Sequence, residues 1–292
     1  MRGAGGEPVD FARTVLSHGV ADLPPNAIAS DGSQFEAVLR VGERAFGVRV
    51  RPDGPAAARI EAASRVPPAR ARAALEAQIR HMLRLDEDLS PFYVAAAAEP
   101  TLAWVALGAG RMLRSPTVFE DLVKTICTTN CTWSATVRMV SAIVSELGVP
   151  ATGAPDRRSF PSPDALADAD DGFFRDVAKA GYRGPYLRAI ATEVAEGRLD
   201  LEALNDPERS DDLVAEDLLA LPGVGPYATA HMMMLLGRYR RLILDSWTRP
   251  TYRRLAGRPR ITDKGIERAF RRYREFAGLA FWLTLTEDWV TG

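Results

Sequence analysis

The 292-residue chain reads as an α+β protein, a small antiparallel sheet followed by a longer all-helical region. Three observations carry that reading. Two alternating apolar runs, residues 35–41 and 44–50, flank Gly42-Glu43, and glycine in a two-residue connection signals a β-hairpin. From Pro68 onward the apolar period lengthens, with Ala71, Leu75, Ile79 and Leu83 at four-residue steps. Farther on, Leu221-Pro222-Gly223-Val224-Gly225-Pro226 separates two helical runs by a very tight turn. The sheet unit is expected at residues 1–66 and the helical region at 67–292, and 47% hydrophobic residues suffice for a sizeable core.

Taken in order, residues 11–61 favour strands. Phe35, Ala37, Leu39 and Val41 share the inward face of the first, and a third strand is expected at 58–62. Pro67 and Pro68 break the pattern. Ser90-Pro91, Ser115-Pro116 and Ser162-Pro163 each place a capping hydroxyl before a first-turn proline, so a helix is expected after each. Val137, Val140, Ile143, Val144 and Leu147 form an apolar stripe closed by Gly148. Residues 153–163 read as a loop, and a helix over 186–195 ends at Gly197. Helices over 211–221 and 226–237 flank the tight turn, and helices over 246–255 and 263–289 close the chain.

Composition narrows the function classes. Lys+Arg 37 against Asp+Glu 38 leaves a net charge of −1, so any polyanion must be held by local rather than overall charge. Lysine occurs only at positions 124, 179 and 264. Two cysteines, Cys127 and Cys131, cannot build a four-cysteine iron–sulfur or zinc site, and their spacing reads as buried thiols rather than a disulfide. His18, His81 and His231 are too scattered for a metal site. No leader or membrane-length apolar run is visible, and a soluble cytoplasmic monomer is expected.

Two stretches can carry chemistry. Gly223 and Gly225 permit positive φ and leave their amides uncovered, and Pro226 suits the first position of a helix. Unpaired N–H groups at a helix start suit a phosphate, although an ordinary helix-turn-helix bend has the same residues. Asp245 follows the apolar run 242–244 and precedes a helical stretch, which fits a helix N-cap as well as a catalytic acid. Trp133, Tyr182, Tyr186, Trp247, Phe281 and Trp282 gather around these motifs, each a core or a pocket residue.

Leu221-Pro222-Gly223-Val224-Gly225-Pro226-Tyr227, an apolar helix and then Leu244-Asp245-Ser246-Trp247 resemble the helix-hairpin-helix DNA glycosylase superfamily, in particular its bacterial 3-methyladenine and 8-oxoguanine branches. Residues 119–130 and Gly181-Tyr182-Arg183-Gly184-Pro185-Tyr186 agree, and the resemblance spans residues 113–289. It implies a β-rich N-terminal domain and a nucleoid-associated enzyme. Such an enzyme flips a damaged base from duplex DNA and hydrolyses its N-glycosidic bond. Asp245 is then catalytic at a helix start, facing the positive charge that builds on the sugar. Tyr227 stands where bifunctional members carry a Schiff-base lysine, which implies a monofunctional enzyme. Asn130 stands where a side chain fills the gap left by the flipped base, although an asparagine after a helix end also tolerates positive φ.

The same resemblance places Tyr227, His231, Trp247, Phe281 and Leu285 around the base, and Asn130, Gly223, Val224, Gly225 and Arg249 on the DNA. No cofactor is expected apart from a monovalent cation at the hairpin. An alkylated purine is the expected lesion. An 8-oxoguanine or other neutral-lesion enzyme, and a non-catalytic DNA-binding protein, are the alternatives.

Overall fold

The computed structural model describes residues 1–54, 56–63 and 65–290. Its first helix, α1 (Phe11–Val15), is capped by Asp10, whose carboxylate accepts from Arg13 N at 3.0 Å, and a 3-10 turn follows at Gly19–Asp22. These two elements correct the expectation of strands throughout 11–61. A local Asp cap on a five-residue helix leaves no long-period signal in sequence.

The sheet itself has β1 (Ala27–Ile28), β2 (Phe35–Val41), β3 (Arg44–Asp53) and β4 (Ala57–Ala62). The β2–β3 hairpin pairs Val41 with Arg44 and Phe35 with Val50 across Gly42, whose φ of 61° only glycine adopts freely. Two further strands, β5 (Pro150–Ala151) and β6 (Ala154–Arg158), join from far along the chain. Ala151 pairs parallel with Ala45 on the same edge of β3 that β4 uses. Residues 154–158 are thus a strand, paired with β5, where a loop is expected. The reason is that polar rather than apolar groups hold it. Arg157 and Arg49 both bind the Glu36 carboxylate, at 2.8 and 2.7 Å.

Phe35, Ala37 and Leu39 pack with Phe11 and Val15 against the apolar face of α2 (Ala69–Met82), through Leu75, Ile79 and Met82. The core beneath the sheet therefore continues past residue 66.

Helices α3 (Ser90–Ala97), α4 (Val118–Thr128), α5 (Trp133–Leu147), α6 (Pro163–Ala167) and α7 (Arg183–Ala195) follow. Ser162 caps α6 as expected, accepting from Ala165 N at 3.4 Å. Two other starts differ. Thr117, not Ser115, caps α4 by accepting from Glu120 N, and Asp88 accepts from both the amide and the hydroxyl of Ser90. A hydroxyl or carboxylate nearer the first free amide wins the cap.

The chain closes with α8 (Asp211–Ala220), α9 (Pro226–Leu235), α10 (Thr248–Leu255), α11 (Asp263–Phe270) and α12 (Ala277–Thr286). The helix expected over 263–289 is broken by a 3-10 stretch at Arg271–Phe276, with Arg274 at φ 52°. The break lets Gly278 press against the chain after α9. Its amide donates to Tyr239 O at 2.7 Å, and an added Cβ would lie 2.1 Å from Arg241 O. Among the described residues no helix is long and apolar enough to cross a membrane.

One insertion matters most for the site. Ser17 and His18 are wedged between the two parts of the chain. Trp282 Nε1 donates to Ser17 O, Leu113 N donates to Ser17 Oγ, and His18 Nε2 donates to Leu113 O, all within 2.9 Å.

Candidate active site

The end of α4, the start of α5, α9, the segment before α10, α12 and residues 18–20 enclose a cleft of about 270 Å³. Asp245, Tyr227, His231, Trp247, Trp282, Trp133, Thr128, Cys131 and His18 line it. A larger groove of about 630 Å³ runs between β2 and the 159–163 segment. Its carboxylates Glu120 and Glu202 are engaged already, Glu120 with Lys124 and Glu202 with the Val118 amide. The smaller cleft is the candidate site.

Asp245 is held as a cap and still has a free oxygen. Oδ1 accepts from Trp247 N at 2.8 Å and Thr248 N at 2.7 Å, while Asp245 N donates to Thr248 Oγ1 at 2.8 Å. These three bonds fix the carboxylate at the mouth of α10, where the helix dipole favours its charge. Oδ2 has no hydrogen-bond partner among the described residues. The two readings of Asp245, cap and reactive acid, are therefore compatible in one side chain.

Tyr227 sits on the first turn of α9, its hydroxyl 3.2 Å from Thr128 Oγ1. Burial raises the pKa of its phenol, and the nearby Asp245 charge adds to the rise. His231, one turn on, tilts against Tyr227 at 6.2 Å between ring centroids. Trp247 leans on Trp282 at 5.8 Å and on Trp289 at 5.6 Å, so its half-exposed ring is a supported wall. Among the lysines none lines the cleft. Lys124 is fully buried, paired with Glu120 at 2.7 Å and donating to Leu23 O.

The two cleft histidines are neutral. Burial lowers His18 to about 3, with His231, Lys124 and Arg84 pushing the same way, and burial lowers His231 to about 4. Both lie below the ordinary 6.5, so between those values the unfolded chain binds protons that the folded chain refuses, and stability rises with pH. Urea unfolding at pH 5 and pH 7 should show stability higher at pH 7 by on the order of 1–2 kcal/mol for each of the two. The double variant His18→Phe/His231→Phe should lose the share of these two, with His81, which burial also lowers to about 4, keeping its own. A wild-type midpoint that does not change between pH 5 and 7 contradicts neutral burial.

At the tight turn, Gly223 takes φ 79°, and an added Cβ would lie 2.7 Å from Tyr186 Cδ2. Gly225 instead has φ −105°, which any residue adopts, so only Gly223 uses the positive φ that both glycines permit. The Val224 amide is not bare either. It donates to Leu221 O at 3.2 Å, and its side chain is buried, whereas the Gly223 and Gly225 amides bond nothing in the turn.

Asn130 has φ 46° and lies exposed just after α4, between the cleft residues Thr128 and Cys131; its amide donates to Tyr182 OH at 3.3 Å. Arg249 is committed to Asp263 through a two-pronged pair at 2.9 and 3.0 Å. Cys131 is exposed at the cleft, correcting the expectation of two buried thiols. Cys127 alone is buried, and burial pushes its thiol up to about 12. No disulfide joins them.

Phe281 and Leu285 do not line the cleft. Phe281 is fully buried against Tyr252 and Phe270, and Leu285 lies in the same core. Trp282 reaches the cleft instead, because successive residues on a helix point about 100° apart. His18, Gly19 and Val20 also line it, and nothing in the sequence assigns the N-terminal segment to the site. Gly19 lies tight against the cleft wall. Trp133 approaches so closely that an added Cβ would lie 3.3 Å from its ring.

No family model matches the chain, and no curated protein matches it in sequence. Among solved structures it is similar to the 3-methyladenine DNA glycosylase from Archaeoglobus fulgidus, with 20% identity and a TM-score of 0.76 over 96% of each chain. It is also similar to the 8-oxoguanine glycosylase/lyase of Clostridium acetobutylicum, with 19% identity and a TM-score of 0.74 over 96% of this chain and 94% of that one. A Schizosaccharomyces pombe 3-methyladenine DNA glycosylase in complex with abasic DNA matches at 19% identity and a TM-score of 0.51, over 72% of this chain and 95% of that one.

Proposed function

From the fold it shares with the helix-hairpin-helix DNA glycosylases, we propose that this chain is a monofunctional DNA glycosylase that removes an alkylated purine from duplex DNA. One observation carries the reading: Asp245 is anchored through Oδ1 and free at Oδ2 in an aromatic cleft that no lysine lines. A carboxylate so fixed stabilises the oxocarbenium-like sugar as the C1′–N bond breaks. The departing base keeps the bonding electron pair, and water adds to C1′ while losing a proton.

The neutral histidines favour a base that is already cationic. Neither His18 nor His231 carries a proton to lend at neutral pH, since burial holds both near or below 4. An N-alkylated purine leaves as a neutral molecule and needs no such acid. Trp133, Trp247 and Tyr227 offer π faces to its charge, each contact worth about 0.5–2 kcal/mol. The test is single-turnover base release from matched duplexes carrying 7-methylguanine, 3-methyladenine, hypoxanthine or 8-oxoguanine. Fastest release of a methylated purine is expected, and fastest release of 8-oxoguanine sinks the cationic reading.

With Tyr227 in place of a lysine and Lys124 buried behind Glu120, no amine is at hand to attack the sugar. Borohydride should trap no covalent protein–DNA adduct, and the abasic product should stay unnicked until base or heat is added. A borohydride-stable adduct contradicts the monofunctional assignment.

DNA should be held as a phosphate backbone by the Gly223 and Gly225 amides, with Asn130 entering the gap in the stack and Arg249 sharing its charge with Asp263. Gly225→Val tests this cleanly. Gly225 has ordinary φ and nothing within 4 Å of an added Cβ, so the protein accommodates the side chain and only an approaching phosphate meets it. Affinity should fall alike for damaged and undamaged duplexes, and wild-type binding should weaken as salt rises. Unchanged affinity in the variant removes the hairpin from the DNA contact.

A further inference from the structure

His18 and His231 stand edge to face in the cleft, their ring centroids 5.5 Å apart. His18 Nε2 lies 2.7 Å from the Leu113 carbonyl. A carbonyl oxygen only accepts, so this Nε2 carries the proton and His18 Nδ1 is left as an acceptor. That Nδ1 is sealed from solvent without a partner, and so is Nε2 of His231. Two orphaned nitrogens on adjoining buried rings are costly unless they meet. No hydrogen bond joins these two nitrogens as they stand, so a bond between them requires the rings to turn toward each other. The remaining nitrogen, His231 Nδ1, is neither bonded within the protein nor among the sealed atoms.

We infer that Leu113, His18 and His231 form a relay in which Leu113 O accepts from His18 Nε2–H and His18 Nδ1 accepts from His231 Nε2–H. The relay leaves His231 Nδ1 as a fixed acceptor facing the flipped base. The ligand's identity rests on the glycosylase reading; the relay does not. His231 is then the residue that reads the base, and His18, a ring away, is a positioning residue. The site takes a purine edge that offers an N–H and rejects one that presents a methyl group or a lone pair there. Lys124 and Arg84 act on His18 with positive charge, which opposes a second proton on that ring. Tyr227, one turn before His231, walls the same edge.

The chain has three histidines, and His81→Gln leaves only the two cleft rings in ¹⁵N spectra of the imidazoles. In the free protein between pH 5.5 and 8, His18 and His231 should both be Nε2–H tautomers that do not titrate. A proton on His231 Nδ1 overturns the relay. His18→Phe keeps a ring but removes the acceptor, and His231 should then populate both tautomers. An unchanged tautomer ratio overturns the positioning role.

Free 7-methylguanine, which has N–H groups, should shift His231 Nδ1. Caffeine, a methylated purine with none, should not. An equal response to both, or none to either, overturns the reading role. His231→Phe should slow release of 7-methylguanine on the order of tenfold or more while leaving undamaged-duplex affinity unchanged. Full-rate release overturns it. If the wild-type protein frees no base from any duplex, the glycosylase reading fails on its own, and the tautomer result still decides the relay.

Discussion

Asp245→Asn should lower single-turnover release of 7-methylguanine by at least ~10²-fold, the scale for one positioned catalytic group. The substitution is close to isosteric. An asparagine Oδ1 still accepts from Trp247 N and Thr248 N, and Asp245 N still donates to Thr248 Oγ1, so the start of α10 is preserved. What changes is the free Oδ2, which becomes an amide donor without charge. The sugar then develops positive charge with no anion fixed beside it. Affinity for undamaged duplex should be unchanged or higher, because a negative charge has been removed from the proposed DNA-binding face. Both readouts are needed. Lost turnover with retained binding places the effect in the chemical step, and near-normal turnover by a folded variant removes Asp245 from catalysis.

The largest effect on stability is expected at Arg84. This residue is fully buried just beyond α2, at φ 53°. Its guanidinium donates to Met112 O at 2.8 Å, to Met234 O at 3.3 Å and to Leu235 O, and it pairs with Glu87. One side chain thus ties α2 to the segment before α4 and to the last carbonyls of α9, whose helix dipole ends there. Arg84→Leu fills much of the space but leaves those carbonyls and Glu87 unpaired. Breaking such a buried set costs about 3–5 kcal/mol, a fall in Tm of roughly 10 °C for a chain of this size. Arg80→Leu is the matched control. Arg80 pairs with Asp86 at 2.7 Å but both side chains are largely exposed, so its loss should stay under about 1 kcal/mol. Urea melts of the two variants decide the point, and an Arg84→Leu midpoint as close to wild type as the Arg80→Leu one contradicts the buried tie.

Sequence alone determined the elements whose signals are local. The β2–β3 hairpin follows from alternation around Gly42, α2 from its four-residue apolar steps, and the α8–α9 turn from Pro222, Gly223 and Pro226. The resemblance over residues 113–289 carried the fold and brought Asp245, Tyr227, His231 and Trp247 to attention, and the structure gathers those four around one cleft. Each depends on residue type at fixed spacing, which a linear reading preserves.

Only the tertiary structure decided the rest. The sheet recruits β5 and β6 across roughly a hundred residues through Glu36 and two arginines, a polar pairing with no periodicity to detect. Trp282 rather than Phe281 reaches the cleft because the break at Arg274 and the contact at Gly278 set how α12 is turned. His18 enters the site because Ser17 and Leu113 pin residues nearly a hundred positions apart. In each case what fixes the residue's role is a hydrogen bond or a close backbone approach between distant segments, and such contacts exist only once the chain has packed.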